Sequence, residues 1–366
     1  MQMLEFEQLV LGAYRVKASD IHLAPDNPPV LRVNGDLRRA NGAAPTGEEI
    51  EAIIAEILPK RLKERLRELR GASFSCHLKD VGRLRCAAYH VNGQLALTMR
   101  VIPLEIPTLD QLGLPGVLKE IAALRRGMAL VTGAAGCGKS TTLAAMINHL
   151  NTTEARRALT LEDPIEFRAP SKRCLITQRE VGSDVPDFAE GLRQALRMDP
   201  DVILVGEMRD AETIRMALKA AETGHSVFST LHTTSVVETL ERIVGYFQGA
   251  EREAARHELA LNLAACVAQR LVKAVGGRSR RAALEIVRVN ATVAKLIREN
   301  CFADIFLAAR SREDGMQTMD QALADLVAEK AVAFEEASAH CEDLHAFRRC
   351  VQDREATGET GAILSA

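Results

Sequence analysis

The chain is expected to be an α/β protein in two parts: a small α+β domain, then a mainly parallel sheet with helices between its strands and a helical C-terminal extension. Three observations predict this. Strand-like runs crowd the first hundred residues. From residue 116 onward, short apolar runs alternate with helical stretches, the pattern of a parallel sheet. One of those runs, 128–132, leads into Gly133-Ala-Ala-Gly-Cys-Gly-Lys-Ser140 and then an Ala/Leu/Met-rich stretch. That is the strand–loop–helix order required around G-x-x-x-x-G-K-[ST], the phosphate-binding loop.

In chain order, Leu4, Leu9, Leu11 and Val16 give residues 4–17 a helical spacing. Residues 21–23 and 30–33 read as short strands, with a tight turn at Asn34-Gly35 before Leu37. Thr46 with Glu49 three residues later is a capping-box signature opening a charged helical stretch over 47–70. Residues 73–78, 83–91 and 95–102 read as strands, closing a first domain over 1–103. The Pro-rich stretch 104–115 reads as a linker. The second domain, 116–290, carries strands at 128–132, 158–162, 202–206 and 227–231. Beyond about 250 the chain is expected to be almost wholly helical, apart from a strand at 283–287. A helical region over 291–354 and a disordered tail over 355–366 complete the reading.

Composition narrows the function classes. A net charge of −2 gives no electrostatic case for nucleic-acid binding. No apolar run reaches eighteen residues, and the mixed, acidic N-terminus lacks a signal-peptide pattern, so a cytosolic protein without membrane insertion is expected. The eight cysteines include no C-x-x-C pair, which argues for reduced thiols over zinc or disulfides. With no tryptophan and three tyrosines, aliphatic side chains must fill the cores.

The chemistry sits in four clusters. In the loop, Gly133, Ala134, Ala135, Gly136, Cys137, Gly138, Lys139, Ser140 and Thr141 would wrap a phosphate with backbone N–H groups at a helix N-terminus. Lys139 would reach the outer phosphates and Ser140 would hold Mg²⁺. Asp201-Val-Ile-Leu-Val-Gly-Glu207 is a strand ending in a carboxylate, placed to act on Mg²⁺ and water. In Leu161-Glu-Asp-Pro-Ile-Glu166, three carboxylates within five residues read either as a Mg²⁺–water cluster, with Glu162 and Asp163 on the metal, or as a solvated acidic turn. His225 and His232 could occupy opposite ends of one strand, where a polar contact is the ordinary role of a histidine. Cys137, beside a lysine at a helix N-terminus, reads either as a reactive thiol that nucleotide shields or as a thiol buried in a tight loop.

Taken in order, Gly133–Ser140, Thr160-Leu-Glu-Asp-Pro-Ile-Glu166, Gly206-Glu-Met-Arg-Asp210 and Thr223-Gly-His-Ser-Val-Phe-Ser-Thr-Leu-His232 resemble the Walker A, Asp-box, Walker B and His-box motifs of secretion-superfamily ATPases. Within them the chain is most similar to the type IV pilus retraction ATPases of the PilT/PilU group. Ser19-Asp-Ile-His-Leu23, Arg32-Val-Asn-Gly-Asp36, Gln178-Arg-Glu-Val-Gly182 and Gly315-Met-Gln-Thr-Met-Asp320 share the likeness, which spans about residues 4–350. The resemblance implies a PAS-like N-terminal domain, a RecA-like ATPase core, ATP and Mg²⁺. It implies Glu166 as general base, Glu207 as the Walker B glutamate, and His225 and His232 near the γ-phosphate. Arg83, Arg85 and Arg100 match strands whose arginines reach nucleotide in the family; exposed strand arginines are the other reading. A homo-hexamer docked on an inner-membrane platform protein is implied, with a second retraction ATPase as a further candidate partner. Two departures stand out. The group's G-P-T-G-S-G-K-S loop has Ala134, Ala135 and Cys137 here, and its A-I-R-N-L-I-R-E motif has Ala294 and Lys295 at the Arg and Asn positions. The second departure leans toward PilU-type accessory motors. A nucleotide-binding accessory subunit and a secretion or assembly motor are the alternatives.

Overall fold

The computed structural model describes residues 3–363 except 34, 79–80, 103–104 and 278; the side chains of 355 and 357–363 are also outside the description. The Asn34 half of the expected tight turn and residues 103–104 at the start of the expected linker therefore fall outside the described residues. The chain divides into two compact units, residues 1–105 with 166–168, and residues 106–165 with 169–366.

The first unit begins with helix α1 (Met3–Arg15). Strands β1 (Asp20–Leu23), β2 (Val30–Val33) and β3 (Asp36–Arg39) follow. Next come α2 (Gly47–Ile57), α3 (Lys63–Leu69), β4 (Gly71–Leu78), β5 (Gly82–Val91) and β6 (Gln94–Ile102). The expected helix over 47–70 is broken: Leu58 is extended, Pro59 follows, and a 3₁₀ turn restarts the chain. Thr46 and Glu49 form the capping box reciprocally at 3.3 and 2.8 Å. The strands form one antiparallel sheet in the order β3-β2-β1-β6-β5-β4. Its core joins Phe6 and Val10 of α1 and Ile50 and Ile54 of α2 to Leu84, Leu97 and Met99. The two-residue period of β5 buries Leu84, Cys86 and Ala88, which turns Arg83 and Arg85 to the other face.

The second unit contains α4 (Val117–Ala122), β7 (Gly127–Thr132), α5 (Lys139–Thr153), β8 (Arg157–Glu162) and β9 (Leu175–Glu180). It continues with α6 (Phe188–Ala195), β10 (Val202–Val205), α7 (Ala211–Glu222), β11 (Ser226–Leu231), α8 (Val236–Gly245) and α9 (Ala250–Asn262). The hairpin β12 (Leu263–Lys273) and β13 (Arg280–Arg288) is followed by α10 (Ala291–Arg298), α11 (Ile305–Arg310), α12 (Met319–Ala328), α13 (Phe334–Ser338) and α14 (Leu344–Ile363). The sheet order is β13-β12-β7-β11-β10-β8-β9, with every pair parallel except β12–β13. One face packs on α4 and α5 through Leu118, Ile121, Leu143 and Met146. The other packs on α6–α9 through Leu192, Ile214, Leu240 and Leu259. Coverage on both faces explains why β10 and β11 are buried at every position, including Ser226 and Ser229.

The structure departs from the sequence reading in these places. Residues 263–273, read as helical, form the longest strand, β12. Their Ala-rich run Ala264-Ala-Cys-Val-Ala268 suits either state, and pairing with β7 and β13 on both sides decides for strand. The edge strand β9 was not anticipated, because it is polar and only half-buried. The stretch read as a linker is anchored, with Leu109 and Leu114 buried in the core beside α4. Helix α14, whose Phe347 and Val351 are buried, extends to residue 363, into the stretch expected as a tail.

Candidate functional site

Strand β7 is apolar because both faces are covered, and its C-terminal end delivers the glycine loop. Gly133, Gly136 and Gly138 have φ of 145°, 76° and 92°, conformations that favour glycine. A Cβ on Gly133 would lie 2.4 Å from the carbonyl oxygen of Gln269 and 2.5 Å from Cys137 Sγ. Gly138 precedes α5 without a side-chain cap, so the first N–H groups of α5 face outward as an anion-binding turn. The side chain of Gln269 locks the loop from β12: its Nε2 donates to the Cys137 carbonyl at 2.7 Å, and its Oε1 accepts from Thr142 Oγ1 at 2.8 Å. Sequence reasoning missed Gln269. A glutamine in the apolar run 263–272 was the available signal.

The Lys139 ammonium is buried and donates to the carbonyls of Gly133 (2.8 Å) and Ala134 (3.0 Å). It also lies 3.4 Å from His232 Nδ1. An ammonium only donates, so Nδ1 accepts in this contact, and the ring N–H is then on Nε2. Nε2 lies 3.4 Å from Glu207 Oε2, and Glu207 also pairs with Arg209. Parallel registry creates this convergence. Leu231 pairs with Thr132 and Val205 pairs with Ser229 and Leu161, so His232, Gly133, Glu207 and Glu162 leave neighbouring strands at one edge. Thr230 Oγ1 donates to the Gly206 carbonyl at 2.6 Å, fixing the turn into Glu207.

Glu162 accepts from Thr160 Oγ1 at 2.7 Å and Gln178 Nε2 at 3.0 Å, which orients its carboxylate; Asp163 is exposed. Among the described residues no group of three or more His, Cys, Asp or Glu side chains is placed to hold a metal by itself.

The structure does not bring every sequence candidate to this edge. His225 is at the opposite end of β11, where its carbonyl accepts from Gly127 and its Nδ1 lies 2.9 Å from the Ala220 carbonyl. Six parallel-strand residues at about 3.3 Å each separate it from His232, so the two histidines lie at opposite ends of one strand, as their spacing allows. Arg83, Arg85, Arg100 and Glu166 belong to the first unit. There Arg85 pairs in register with Arg100 and lies 3.8 Å from Glu166, while Arg100 bonds Asp20 at 3.2 Å.

For Cys137 the structure gives the buried of the two readings. Burial pushes its thiol pKa up, and the nearby Lys139 charge offsets this only in part. Its sulfur packs beneath Gly133 and acts as a loop filler. N-ethylmaleimide is therefore expected to label the half-buried Cys301 well before Cys137, as peptide mass mapping would read. Equal rates at the two thiols would contradict this.

Behind the edge, Glu285 of β13 is buried, and burial pushes its pKa up to about 7 from an ordinary 4.5, against the hydrogen bond from Val236 N. The unfolded chain releases this proton first as pH rises. Wild-type stability should therefore fall by about 3 kcal/mol between roughly pH 4.5 and 7 and then level off through this group. Glu285→Gln removes that fall. Urea melts at pH 5 and pH 8 should show the variant gaining on the wild type at the higher pH.

A parallel sheet covered on both faces, with a glycine loop, a buried loop lysine and strand-end carboxylate and histidine at one edge, defines a P-loop ATPase of the RecA-like kind. The chain belongs to the type II/IV secretion system protein family, whose profile matches residues 3–361. It is 43% identical to the type IV pilus retraction ATPase PilT of Pseudomonas aeruginosa, over 91% of this chain and 97% of that one. It is 35% identical to the type IV pilus ATPase PilU of the same species, over 95% and 92%. A crystal structure of the pilus retraction motor PilT with bound ADP superposes with a TM-score of 0.87, at 37% identity and covering 94% and 98% of the two chains.

Proposed function

We propose that this chain is a Mg²⁺-dependent ATPase that powers retraction of type IV pili as a hexameric ring in the cytoplasm, working against an inner-membrane platform protein. The observation that carries the reading is the Lys139–His232–Glu207 chain at the mouth of the glycine loop. Among the described residues no helix is long and apolar enough to cross a membrane, which suits a peripheral motor. In this reading residues 133–141 wrap the phosphates and Lys139 neutralises charge on the outer oxygens. The His232 Nε2–H would meet charge that develops on the γ-phosphoryl group. Glu166 orients the attacking water and takes its proton. Bound Mg²⁺ would be held by Ser140 and, through water, Glu207, and would supply charge neutralisation. Positioning and fixed charge provide most of the acceleration in such transfers. Arg83, Arg85 and Arg100 are proposed to contribute charge from the N-terminal PAS-like domain.

The test is ATP turnover by the purified protein beside Glu166→Gln, together with pilus retraction in cells carrying either form. Turnover and retraction lost together in Glu166→Gln support the reading; full turnover in that variant removes Glu166 as base. A second reading, an accessory subunit that needs a partner ATPase, is favoured by Ala294 and Lys295 on α10 and by the likeness to PilU. Weak turnover alone that rises on adding a partner retraction ATPase would select it.

A further inference from the structure

The loop 232–235, which carries His232, is held from three directions by groups that the nucleotide site does not use. From the glycine loop, buried Thr239 Oγ1 lies 3.2 Å from Thr132 Oγ1 and 2.7 Å from Thr233 Oγ1. Thr132 is the residue before Gly133, so hydroxyls tie the loop to the root of the phosphate turn. From β13, Glu285 Oε2 accepts from the backbone N of Val236 at 3.0 Å, at the first residue of α8. From β12, Arg270 reaches two ways. Its Nη2 lies 3.5 Å from the Thr234 carbonyl and 2.7 Å from Glu342 Oε1, and its Nη1 donates to the His340 carbonyl at 2.7 Å. Residues 340–343 are fixed in turn by Asp320 of α12, buried, which accepts from the backbone N of Glu342 at 2.7 Å and of Asp343 at 3.1 Å. Asp320 ends the Gly315–Asp320 motif, to which nothing at the nucleotide edge assigns a task.

We propose that Glu285 and Arg270 are positioning residues for His232, and that through Arg270 the turn 340–343 and Asp320 make the geometry of the nucleotide edge depend on the C-terminal helices. Two buried or half-buried charged side chains converge on the backbone of one four-residue loop and the start of its helix. Backbone groups held this way have one arrangement, and the ring of His232 inherits it. The groups facing Glu285 belong to different elements: Arg270 on β12, Asp320 on α12, Glu342 before α14, and the N–H of Val236 on α8. The loop is thus a meeting point of the sheet and the C-terminal region, not a free connection.

The proposal rests on the reading of His232 above, and the experiment separates the two. ATP turnover, KM, affinity for fluorescent ADP and melting temperature would be measured for Glu285→Ala, Glu285→Gln, Arg270→Met, His232→Ala and the Glu285→Ala/His232→Ala double variant. Glu285→Ala and Arg270→Met are expected to lower kcat about tenfold or more, with ADP affinity within about twofold of wild type, because a misplaced group costs rate before binding. Glu285→Gln keeps an acceptor for Val236 N and should recover most of the rate. The double variant should lose no more than His232→Ala alone, since residues that act as a unit are non-additive. Wild-type kcat in Glu285→Ala and Arg270→Met, or additive losses in the double variant, would overturn the proposal while leaving the role of His232 standing. Wild-type turnover in His232→Ala would overturn the reading of His232 and the proposal with it.

Discussion

Lys139→Ala is expected to reduce ATP turnover by roughly two to three orders of magnitude, the scale seen when a fixed group that meets developing charge is removed from a site. The reason lies in where the ammonium is held. It is buried, with two carbonyls of its own loop at 2.8 and 3.0 Å, so it is held within the loop and away from solvent. Removing it also leaves the Gly133 and Ala134 carbonyls without that donor and takes away the group that fixes the His232 tautomer. Nucleotide affinity should fall together with turnover. A coupled-enzyme assay and a fluorescent-ADP titration on the same preparation check this. Turnover within tenfold of wild type would show that the ammonium does not meet the transferred phosphoryl group.

Gly133→Ala should be the most damaging single methyl group in the second unit. Its Cβ would meet the backbone carbonyl of Gln269 at 2.4 Å, on the neighbouring strand β12, and φ of 145° is itself unfavourable for alanine. The obstruction is the backbone of a strand paired on both sides, not the end of a flexible side chain. The loop must shift or β12 must move off β7. A loss of at least about 3 kcal/mol follows from combining overpacking with strained backbone. Gly136→Ala is the matched control: it also has positive φ, at 76°, but open space where its Cβ would lie. Denaturant melts of the two variants should differ clearly, with Gly136→Ala the milder.

Much of this was legible because the informative groups are consecutive in sequence. The glycine loop and the strand ends at Glu162 and Glu207 are local patterns, and β7, β8, β10 and β11 lie where their apolar runs suggested. What escaped depends on contacts between distant segments. Nothing local distinguishes the Ala-rich β12 from a helix until β7 and β13 flank it. A lysine and a helix start beside Cys137 leave reactive and buried thiols both open in sequence, and the seat of its sulfur beneath Gly133 decides for burial. The seven-residue spacing of His225 and His232 allows opposite ends of one strand, and β11 between them makes it so. Gln269, Glu285 and Arg270 are single polar residues in apolar strands. Their partners lie from 36 to 132 positions away, beyond the reach of any motif.

The registry of the parallel strands has a practical consequence for altering this chain. Gly133 and His232 follow the last residues of β7 and β11 by one position and Glu207 follows β10 by two, so the sheet acts as a ruler, and chain length is constrained very unequally. Deleting one residue inside β7, β10 or β11 would pull one member of the edge back by about 3.3 Å and turn the strand's buried face outward, while its neighbours stayed in place. At the other end of the ruler, the exposed turn at Thr223-Gly224 before β11 sets no such distance. Added residues there would leave Leu231 opposite Thr132, so probes, tags or chain breaks belong at that end.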